Sequence, residues 1–323
     1  MSEARLTSAS PEGPLSPLTV VVVNWNGRDV LGDCFRSLQD EDYPDLHVIM
    51  VDNGSTDDSV AYTRKHHRHV EILEAGRNLR WAAGNNLALV HLRRSGFRGC
   101  VLLLNNDTIV PEGSLRALVK GFQASPAAWA ATPRICYADD PSRAWYDGGV
   151  IGRWSGWVKH AGIRRVAGDL SLQPRFVDYG TGCALLLGPA ALERVGLLDE
   201  SFFFYGEDAD YSIRIRARGG LIIHVPRALV LHKVSVSVGE YSPSKMWMRS
   251  RSHVKLLRKH WPWWSWPLLV VSQAAYLTGH AAYHLWQGRP AVALAVWEGA
   301  LDELRGSPHP QEGRPRRWTP DRG

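Results

Sequence analysis

The sequence predicts an α/β protein built on a doubly wound, mixed sheet, and three observations lead to this fold class. Short β-branched and apolar runs alternate with helical stretches through the first third of the chain. One run, residues 100–104, is apolar without interruption, which is typical of a strand buried on both faces of a parallel sheet. The chain has 323 residues, 45% of them hydrophobic, so it can bury the core that such a sheet requires.

The predicted elements follow this alternation in chain order. Strand segments are short and rich in Val, Ile or Leu, and helical segments separate them as in βαβ units. Past Pro111 the alternation loosens, and the Trp- and Gly-rich stretch 147–160 predicts an inserted hairpin or flap. Gly219 and Gly220 end the last helix of this part. The predicted strands or extended segments are 19–24, 47–51, 71–74, 100–104, 176–187, 221–225 and 228–232, and the predicted helices are 30–39, 59–66, 85–94, 189–195 and 208–218.

Changes in composition predict four parts of the chain. Residues 1–17 are rich in Pro and Ser and lack a periodic apolar pattern, which predicts a flexible leader. Residues 18–244 form the main domain, whose nucleotide half is 18–110 and whose acceptor half is 111–244. Residues 245–304 are a basic, Trp-rich helical appendage, and the Pro- and Arg-rich residues 305–323 form a disordered tail.

Charge and cysteine content exclude several classes of protein. The 38 Lys and Arg residues exceed the 32 Asp and Glu residues, and the resulting charge of +6 favours anionic partners. Four cysteines without a CxxC pair indicate buried thiols in a reducing compartment, not a disulfide framework or a zinc ribbon. The N-terminal residues lack the apolar stretch of a signal peptide, so we expect a cytoplasmic location.

Polar residues follow the first two predicted strands. Val23, Asn24 and Asn26 come at the end of the first strand, and Asp52 comes at the end of the second. The carboxyl ends of strands are where open α/β sheets bind ligands, and Asp52 could accept hydrogen bonds from a base or ribose. The alternative is that these residues only form turns and helix caps.

Two further motifs follow later strands. The Gly/Asn-rich stretch 76–86 predicts a loop whose arginines, Arg77 and Arg80, could meet a diphosphate. Asn105, Asn106 and Asp107 follow the most buried strand, where a carboxylate and amide oxygens can hold a hard divalent cation against phosphates. A plain strand-ending turn is the alternative for this triad.

A third group of residues could supply a general base. Four aromatic residues, 202–205, and Gly206 precede Glu207, Asp208 and Asp210, and partial burial there would tune a carboxylate for proton transfer. Acidic residues are also expected in a first helical turn because they complement the helix dipole. His232, after a later strand, is by itself most simply a surface or core histidine.

In this order and spacing, the motifs resemble family 2 glycosyltransferases of the GT-A fold, a Rossmann-like doubly wound sheet. The resemblance covers about residues 18–240 and is specifically to the bacterial branch similar to rhamnosyltransferases of cell-surface polysaccharide assembly. It implies that a sugar moves from a nucleoside-diphosphate donor to a hydroxyl of a lipid-linked or polysaccharide acceptor. It also implies inversion at the anomeric carbon and a Mg²⁺ or Mn²⁺ cofactor.

The resemblance implies a role for each motif. Asp107 resembles the metal ligand of the family's DxD motif, with Asn105 in the first position of that motif and His232 completing the site. Glu207 and Asp208 resemble the family's Glu-Asp pair, in which the aspartate deprotonates the acceptor. The implied donor-binding residues are Val23, Asn24, Asn26, Asp52, Arg77, Asn78 and Asn106, and the implied acceptor-side residues are Gly180, Thr181 and Gly182.

The sequence departs from the family pattern at two motifs. Related enzymes read Asn-x-Gly-Phe-Ala-Gly-Gly-Asn-Asn in the loop, where this chain has Arg80, Trp81 and Ala83 in place of Gly, Phe and Gly. Arg80 therefore adds charge and bulk where glycine lets the backbone approach the donor. Asn105 replaces the first aspartate of the DxD motif, which removes one charge from the metal site.

Two other classes of function remain open from the residues. A sugar nucleotidyltransferase would also be an α/β protein, but it would carry a basic, Gly-rich phosphate loop after its first strand, which this chain lacks. A non-catalytic membrane-surface or nucleic-acid-binding protein would depend on the basic, Trp-rich tail. The carboxylates argue against it, and we expect no nucleic-acid partner.

The C-terminal region predicts association with the cytoplasmic face of the cell membrane. Residues 245–260 contain six Lys or Arg and no acid, and four tryptophans follow. Residues 268–286 have about the length of a span but contain Gln273, His280 and His284, and the second run, 291–297, is too short to cross back. We therefore expect an interfacial helical hairpin. The alternatives are a true transmembrane pair, packing on the main domain, and a homodimer through this region.

Overall fold

The structure is a computed structural model, and it describes residues 14–234 and 242–307. Most of the predicted leader, 1–17, and most of the predicted tail, 305–323, lie outside the described residues. The described residues form two units. The first comprises residues 14–150, 159–199 and 211–234, and the second comprises residues 151–158, 200–210 and 242–307.

Four parallel strands form one half of the sheet in the first unit. These strands and the helices that connect them are β1 (Leu18–Asn24), α1 (Arg28–Gln39), β2 (Leu46–Asp52), α2 (Ser59–His66), β3 (Val70–Glu74), α3 (Arg80–Arg94) and β4 (Cys100–Asn105). β1 lies between β2 and β4, and β3 forms an edge beside β2. The central strands are buried and apolar, as their Val- and Leu-rich sequences predict.

The other half of the sheet contains antiparallel pairs. Its elements are β5 (Thr108–Ile109), α4 (Ser114–Gln123), β6 (Ala128–Tyr137), β7 (Ala144–Tyr146), β8 (Gly149–Ile151), β9 (Val158–His160), β10 (Arg175–Val177), β11 (Ala184–Leu187), α5 (Pro189–Arg194), α6 (Glu207–Ala217) and β12 (Leu221–His232). The strand order is β10-β12-β6-β11-β4-β1-β2-β3, with β5 on β12, β7 on β6, and β8 paired with β9 separately. β11 is antiparallel to β4 and β6, whereas β12 is parallel to β6. The predicted mixed, doubly wound α/β sheet is confirmed.

Several elements differ from the sequence expectation. β6 was not predicted because Pro133 and Arg134 interrupt its apolar pattern. In the structure, the β12 register shifts beside Pro133, and Arg134 Nε donates to Asp147 Oδ1 at 2.8 Å. Segment 176–187 divides between two separate strands, β10 and β11. The predicted loop 76–86 is shorter, because α3 already begins at Arg80.

Three helices make up most of the second unit. They are α7 (Pro243–His260), α8 (Trp266–Trp286) and α9 (Pro290–Leu304), and each has a proline in its first turn, where the missing N–H costs no hydrogen bond. Met246, Val254, Leu277 and Val296 belong to their common core. The predicted helical C-terminal region is confirmed. Among the described residues, no helix combines the length and the apolar character that crossing a membrane requires.

Candidate functional site

The carboxyl ends of three neighbouring parallel strands form one polar edge in the first unit. β1 ends at Asn24 and β2 at Asp52, and these two residues are partners in the strand register. On the other side of β1, Val23 is the partner of Asn105 at the end of β4. Because ligands of open α/β sheets bind at such an edge, the register collects most of the predicted donor-binding residues where a donor is expected.

Side-chain hydrogen bonds join these strand ends. Asn24 Nδ2 donates to Ser55 Oγ at 3.2 Å and lies 3.4 Å from Asp52 Oδ1. Asn106 Nδ2 donates to Asn24 Oδ1 at 2.9 Å. A Cβ on Gly27 would lie 2.3 Å from both atoms of the Asn106–Asn24 bond, so this bond requires glycine at position 27. The edge is therefore a pre-arranged network of amides around one carboxylate.

The Asp52 carboxylate shapes the loop that follows β2. Its Oδ2 accepts hydrogen bonds from the backbone N–H groups of Gly54 and Ser55, at 3.1 and 3.0 Å. Its Oδ1 accepts the Ser55 hydroxyl at 2.6 Å, and the residue is only 3% exposed. Asp52 thus fixes its own loop, and its contact with a nucleoside stays a prediction.

Asn26 holds the same loop from the other side. It adopts a left-handed conformation, φ 51°, and its Oδ1 accepts the backbone N–H of Thr56 at 2.7 Å. Asp57 Oδ2 in turn accepts the backbone N–H of Arg28 at 3.1 Å. The loops after β1 and β2 therefore support each other.

The loop after β3 packs against the loop after β2. A Cβ on Gly54, whose φ is +71°, would lie 2.7 Å from the Cα of Arg77, so the two backbones touch. Asn78 Oδ1 accepts the Arg80 N–H at 2.9 Å and starts α3 there. The Arg77 side chain is exposed, and burial lowers the pKa of Arg80 to about 10. Arg77 is the cation of this loop that is accessible to an anionic ligand.

Asp107 and His232 form a close pair at the end of β12. His232 Nε2 lies 3.2 Å from Asp107 Oδ1. The pairing of β5 with β12 sets this distance, since Thr108 is opposite His232 and the Lys233 N–H donates to the Asp107 carbonyl at 2.9 Å. The resemblance implied that these two residues share one site, and the geometry is consistent with that role.

The ionisation of His232 depends on its neighbours. Burial by itself lowers the pKa of His232, but interactions with Cys183 and Asp107 outweigh burial and raise this pKa to about 10. The imidazole therefore carries a proton at neutral pH in the ligand-free chain. Because the imidazole must lose that proton to bind a metal, metal affinity should increase with pH.

The Asp107–His232 pair fits a divalent cation as a two-residue site. In the described part of the chain, no cluster of three or more His, Cys, Asp and Glu side chains could hold a metal ion. Mg²⁺ and Mn²⁺ accept carboxylate oxygens and complete their coordination with phosphates and water. The side chain of Asp107 is 22% exposed, so a ligand can reach it. Asn105 contributes its backbone, through a carbonyl that accepts the Thr108 hydroxyl at 2.7 Å.

The predicted acceptor-side residues lie between β10 and β11. The Gly180 N–H donates to Ser212 Oγ at 3.2 Å, and Thr181 is buried. A Cβ on Gly182 would lie 2.8 Å from the ring of Trp81, the residue that replaces the family's Phe. The larger ring is thus accommodated by the absence of a side chain at Gly182.

Sequence reasoning missed Trp145, which lies next to His232, and His160, which contacts Trp145. The Trp145 ring lies 4.7 Å from the His232 ring and 4.4 Å from the ring of His160, both edge-on. Their only sequence signal was the high Trp content around the predicted hairpin. Trp145 limits the space around the Asp107–His232 pair.

Glu207 and Asp208 belong to the second unit, in the first turn of α6. Burial, together with the neighbouring charges of Asp208 and Asp210, raises the pKa of Glu207 to about 8. Glu207 Oε2 is buried and makes no hydrogen bond with the described residues. Asp208 Oδ1 accepts the Ala209 N–H at 2.7 Å. Glu207 is therefore largely protonated at neutral pH.

Known proteins give an independent view of this chain. A mycobacterial N-acetylglucosaminyl-diphospho-decaprenol L-rhamnosyltransferase, from Mycobacterium tuberculosis, is 28% identical over 78% of this chain and 87% of its own length. The low-salt glycan biosynthesis hexosyltransferase Agl10 of Haloferax volcanii is 22% identical over 62% of each chain.

Two solved structures share the fold. The mannosyltransferase PcManGT of Pyrobaculum calidifontis, solved with GDP-Man and Mn²⁺, matches 94% of this chain and 92% of its own with a TM-score of 0.58 and 17% identity. GalNAc-T7, solved with UDP, GalNAc and Mn²⁺, matches 77% of this chain with a TM-score of 0.61 and 16% identity, and this chain spans about half, 49%, of that one. The family model of glycosyl transferase family 2 matches residues 19–187, more than half of the chain, and the chain therefore belongs to this family.

Proposed function

We propose that this chain transfers a sugar from a nucleoside diphosphate to a hydroxyl of a lipid-linked acceptor, with inversion at the anomeric carbon, and that this sugar is L-rhamnose. One observation carries the proposal: the Asp107–His232 pair, 3.2 Å apart, follows directly on the amide network of the strand edge. A diphosphate needs a cation or cationic group, and a nucleoside needs neutral donors and acceptors. The edge supplies both kinds of group.

Each site residue described in the first unit has a role in this proposal. Asn24, Asn106 and Asp52 bind or shape the nucleoside pocket, and Arg77 and the Asp107–His232 pair bind the diphosphate. Mg²⁺ or Mn²⁺ held by Asp107 and His232 would stabilise the negative charge of the departing diphosphate. In the second unit, Asp208 takes the proton of the acceptor hydroxyl, which the resemblance implies.

Family membership favours sugar transfer over the two other classes of function. Both a nucleotidyltransferase and a non-catalytic binding protein remained open from the residues alone. The rhamnosyltransferase name of the mycobacterial relative supports rhamnose and a lipid-linked acceptor, at 28% identity.

Donor binding tests this proposal directly. The full chain is heated with nucleoside-diphosphate sugars that differ in base and in sugar, with and without Mn²⁺, because a bound ligand raises the unfolding temperature by mass action. We expect one L-rhamnose donor to give the largest rise, and only with the metal. Asp107→Ala should lose this rise, whereas Glu112→Gln, which changes an exposed carboxylate, should keep it. If no nucleotide sugar raises the unfolding temperature, the proposal is wrong.

The acceptor would be presented at the cytoplasmic face of the membrane, and α8 is the docking element in the proposal. α8 contains no Asp, Glu, Lys or Arg. Its Gln273 and His284 are buried within the helical unit, so they do not interrupt the outer face. That face carries exposed apolar side chains such as Val271, 68% exposed, and tryptophans stand at both ends: Trp263 is 83% and Trp286 80% exposed. Tryptophans at the ends of an apolar surface are typical of the membrane interface.

The structure changes the expected salt dependence of docking. The sequence predicts attraction of the six cations of 245–260 to anionic lipid. Within the second unit, however, Arg251 and Arg258 contact Glu303, and Lys259 pairs with Asp210. Because three of the six cations already have acidic partners, burial of the apolar face of α8 should contribute more of the affinity than the charges do, and high salt should release only part of the protein.

Flotation with anionic vesicles tests the docking proposal on the full chain. We expect the wild type to float and Val271→Asp to float much less, because a charge on the apolar face cannot enter the lipid. Leu172→Asp is the matched control, since Leu172 is an exposed leucine of the first unit. Equal flotation of Val271→Asp and the wild type would contradict a role for α8, and a dimer in solution would support the homodimer alternative.

A further inference from the structure

The turn that carries the acidic residues is held in an uncommon backbone conformation. Tyr205 and Gly206, which precede Glu207, both have positive φ, 69° and 85°. A left-handed conformation is unfavourable for a non-glycine residue, because its Cβ crowds the backbone. Such a conformation persists only where its surroundings stabilise it, which directs attention to the contacts of this turn within the second unit.

Residues of α7 and α9 hold this turn in place. Phe203 and Tyr205 pack against a buried group that contains Trp247 and Ala295. The Ser252 hydroxyl donates to the Phe204 carbonyl at 2.7 Å. These contacts fix the backbone before α6, and they do not involve the side chains of its first turn.

Asp210 adds a contact from a side chain in the first turn of α6 itself. It is fully buried, and its Oδ1 lies 2.6 Å from Lys259 Nζ and 2.7 Å from His260 Nε2, both at the C-terminal end of α7. Asp210 lies three positions after Glu207, so both side chains lie on one face of the helix. Cations also suit the end of α7, because they complement its dipole. One carboxylate thus ties the start of α6 to the end of α7.

We propose that Asp210 is a positioning residue, and that its pair with Lys259 and His260 fixes the first turn of α6 and thereby aims the carboxylate of Asp208. This inference rests on the proposed role of Asp208 as the base. A buried ion pair often adds little to the free energy of unfolding when compared with apolar residues of similar size. The pair should affect the reaction rate more than the stability, because a misplacement of a catalytic group by about 1 Å can lower the rate about 10²-fold.

Substitution of Lys259 separates positioning from stability. We expect Lys259→Met to lower kcat about tenfold, with the donor Kd unchanged by calorimetry, because donor-binding residues lie in the first unit. Lys259→Arg, which keeps the charge, should recover most of kcat. Arg258→Met is the matched control, since the neighbouring Arg258 contacts Glu303 instead of Asp210, and it should keep kcat within about twofold.

The same measurements show how the inference could fail. Unchanged kcat in Lys259→Met, or an equal loss in Arg258→Met, would overturn the positioning role. His260→Gln removes the other partner of Asp210 and decides the question if Lys259→Met yields no folded protein. Asp208→Asn tests the base separately. If this variant keeps its turnover, Asp208 is not the base of the proposed function, whatever the result for Lys259→Met. If Asp208→Asn loses turnover while the substitutions of Lys259 and His260 leave kcat unchanged, only the positioning inference is wrong.

Discussion

The strand edge of the first unit and the acidic turn of the second unit differ in how they are held. At the edge, neutral amides bond one another across strands whose register is fixed by the sheet, as in the 2.9 Å bond from Asn106 to Asn24. At the turn, the buried carboxylate of Asp210 is held by Lys259 and His260 of a helix that follows about 50 positions later in the chain.

This difference has energetic consequences. A neutral hydrogen bond contributes about 1 kcal/mol net, so single changes at the edge should weaken ligand binding gradually. A buried charge that loses its partner costs about 3–5 kcal/mol, and a misplaced base costs rate directly. We therefore expect steep effects on turnover from the acidic turn and graded effects on affinity from the strand edge.

The largest effect should come from the proposed base. Asp208→Asn should lower turnover at least about 10²-fold, because a positioned general base typically contributes about 10²–10⁴-fold. Donor affinity should stay nearly unchanged, because the base acts on the acceptor. Steady-state transfer and donor calorimetry on the same preparation measure both. Turnover above roughly a tenth of the wild type would point to another base.

The next largest effect should come from the metal pair. Asp107→Ala should weaken metal-dependent donor binding by at least about tenfold, since even indirect neighbours of metal ligands cost about 10–100-fold. His232→Ala should weaken it less, because the carboxylate remains. Donor titration by calorimetry with and without Mn²⁺ measures both variants, and Glu112→Gln serves as the control. Unchanged affinity in Asp107→Ala would exclude this residue as the metal ligand.

The protonated state of Glu207 gives a prediction for stability. The pKa of Glu207 is near 4.5 in the unfolded chain and about 8 in the folded chain. The folded state therefore binds this proton more tightly, and the stability that the protonated side chain contributes is lost as pH rises from 4.5 to 8. Glu207→Gln should match the wild type below pH 4.5 and exceed it above pH 8, by about 1–4 kcal/mol. Thermal unfolding across pH measures this, with the exposed Glu193→Gln as control. Parallel pH profiles of wild type and Glu207→Gln would contradict the raised pKa.

The sequence predicted the parts of the fold that local patterns determine. β1, β2 and β4 carry continuous apolar runs, and the structure confirms them as buried parallel strands. β6 escaped prediction because the charge of Arg134 is balanced by Asp147, which lies in a different segment. The start of α3 was placed too late because Asn85 and Asn86 are typical of loops, whereas here they are buried in the helix.

The candidate site shows the same limit. The sequence placed Asn24, Asp52 and Asn106 at strand ends, and the register of parallel strands then brought them together. The partners of Asp210 could not be predicted, because Lys259 and His260 lie in a stretch whose basic character indicated a lipid partner instead. Charge patterns show which residues need partners, and only tertiary structure shows which partners they have.

The smallest effect should come from the glycine at the strand edge, and it would sharpen the distinction between graded and steep sites. The Cβ of Gly27→Ala would displace the Asn106–Asn24 bond, so donor affinity should fall only a few-fold, which corresponds to about 1 kcal/mol. Gly168→Ala is the control, because nothing lies within 4 Å of a Cβ there. In Asn106→Ala the bond is already absent, so adding Gly27→Ala should cause little further loss of affinity. If the two losses add fully, Gly27 acts through another contact, and the amide network does not set donor affinity.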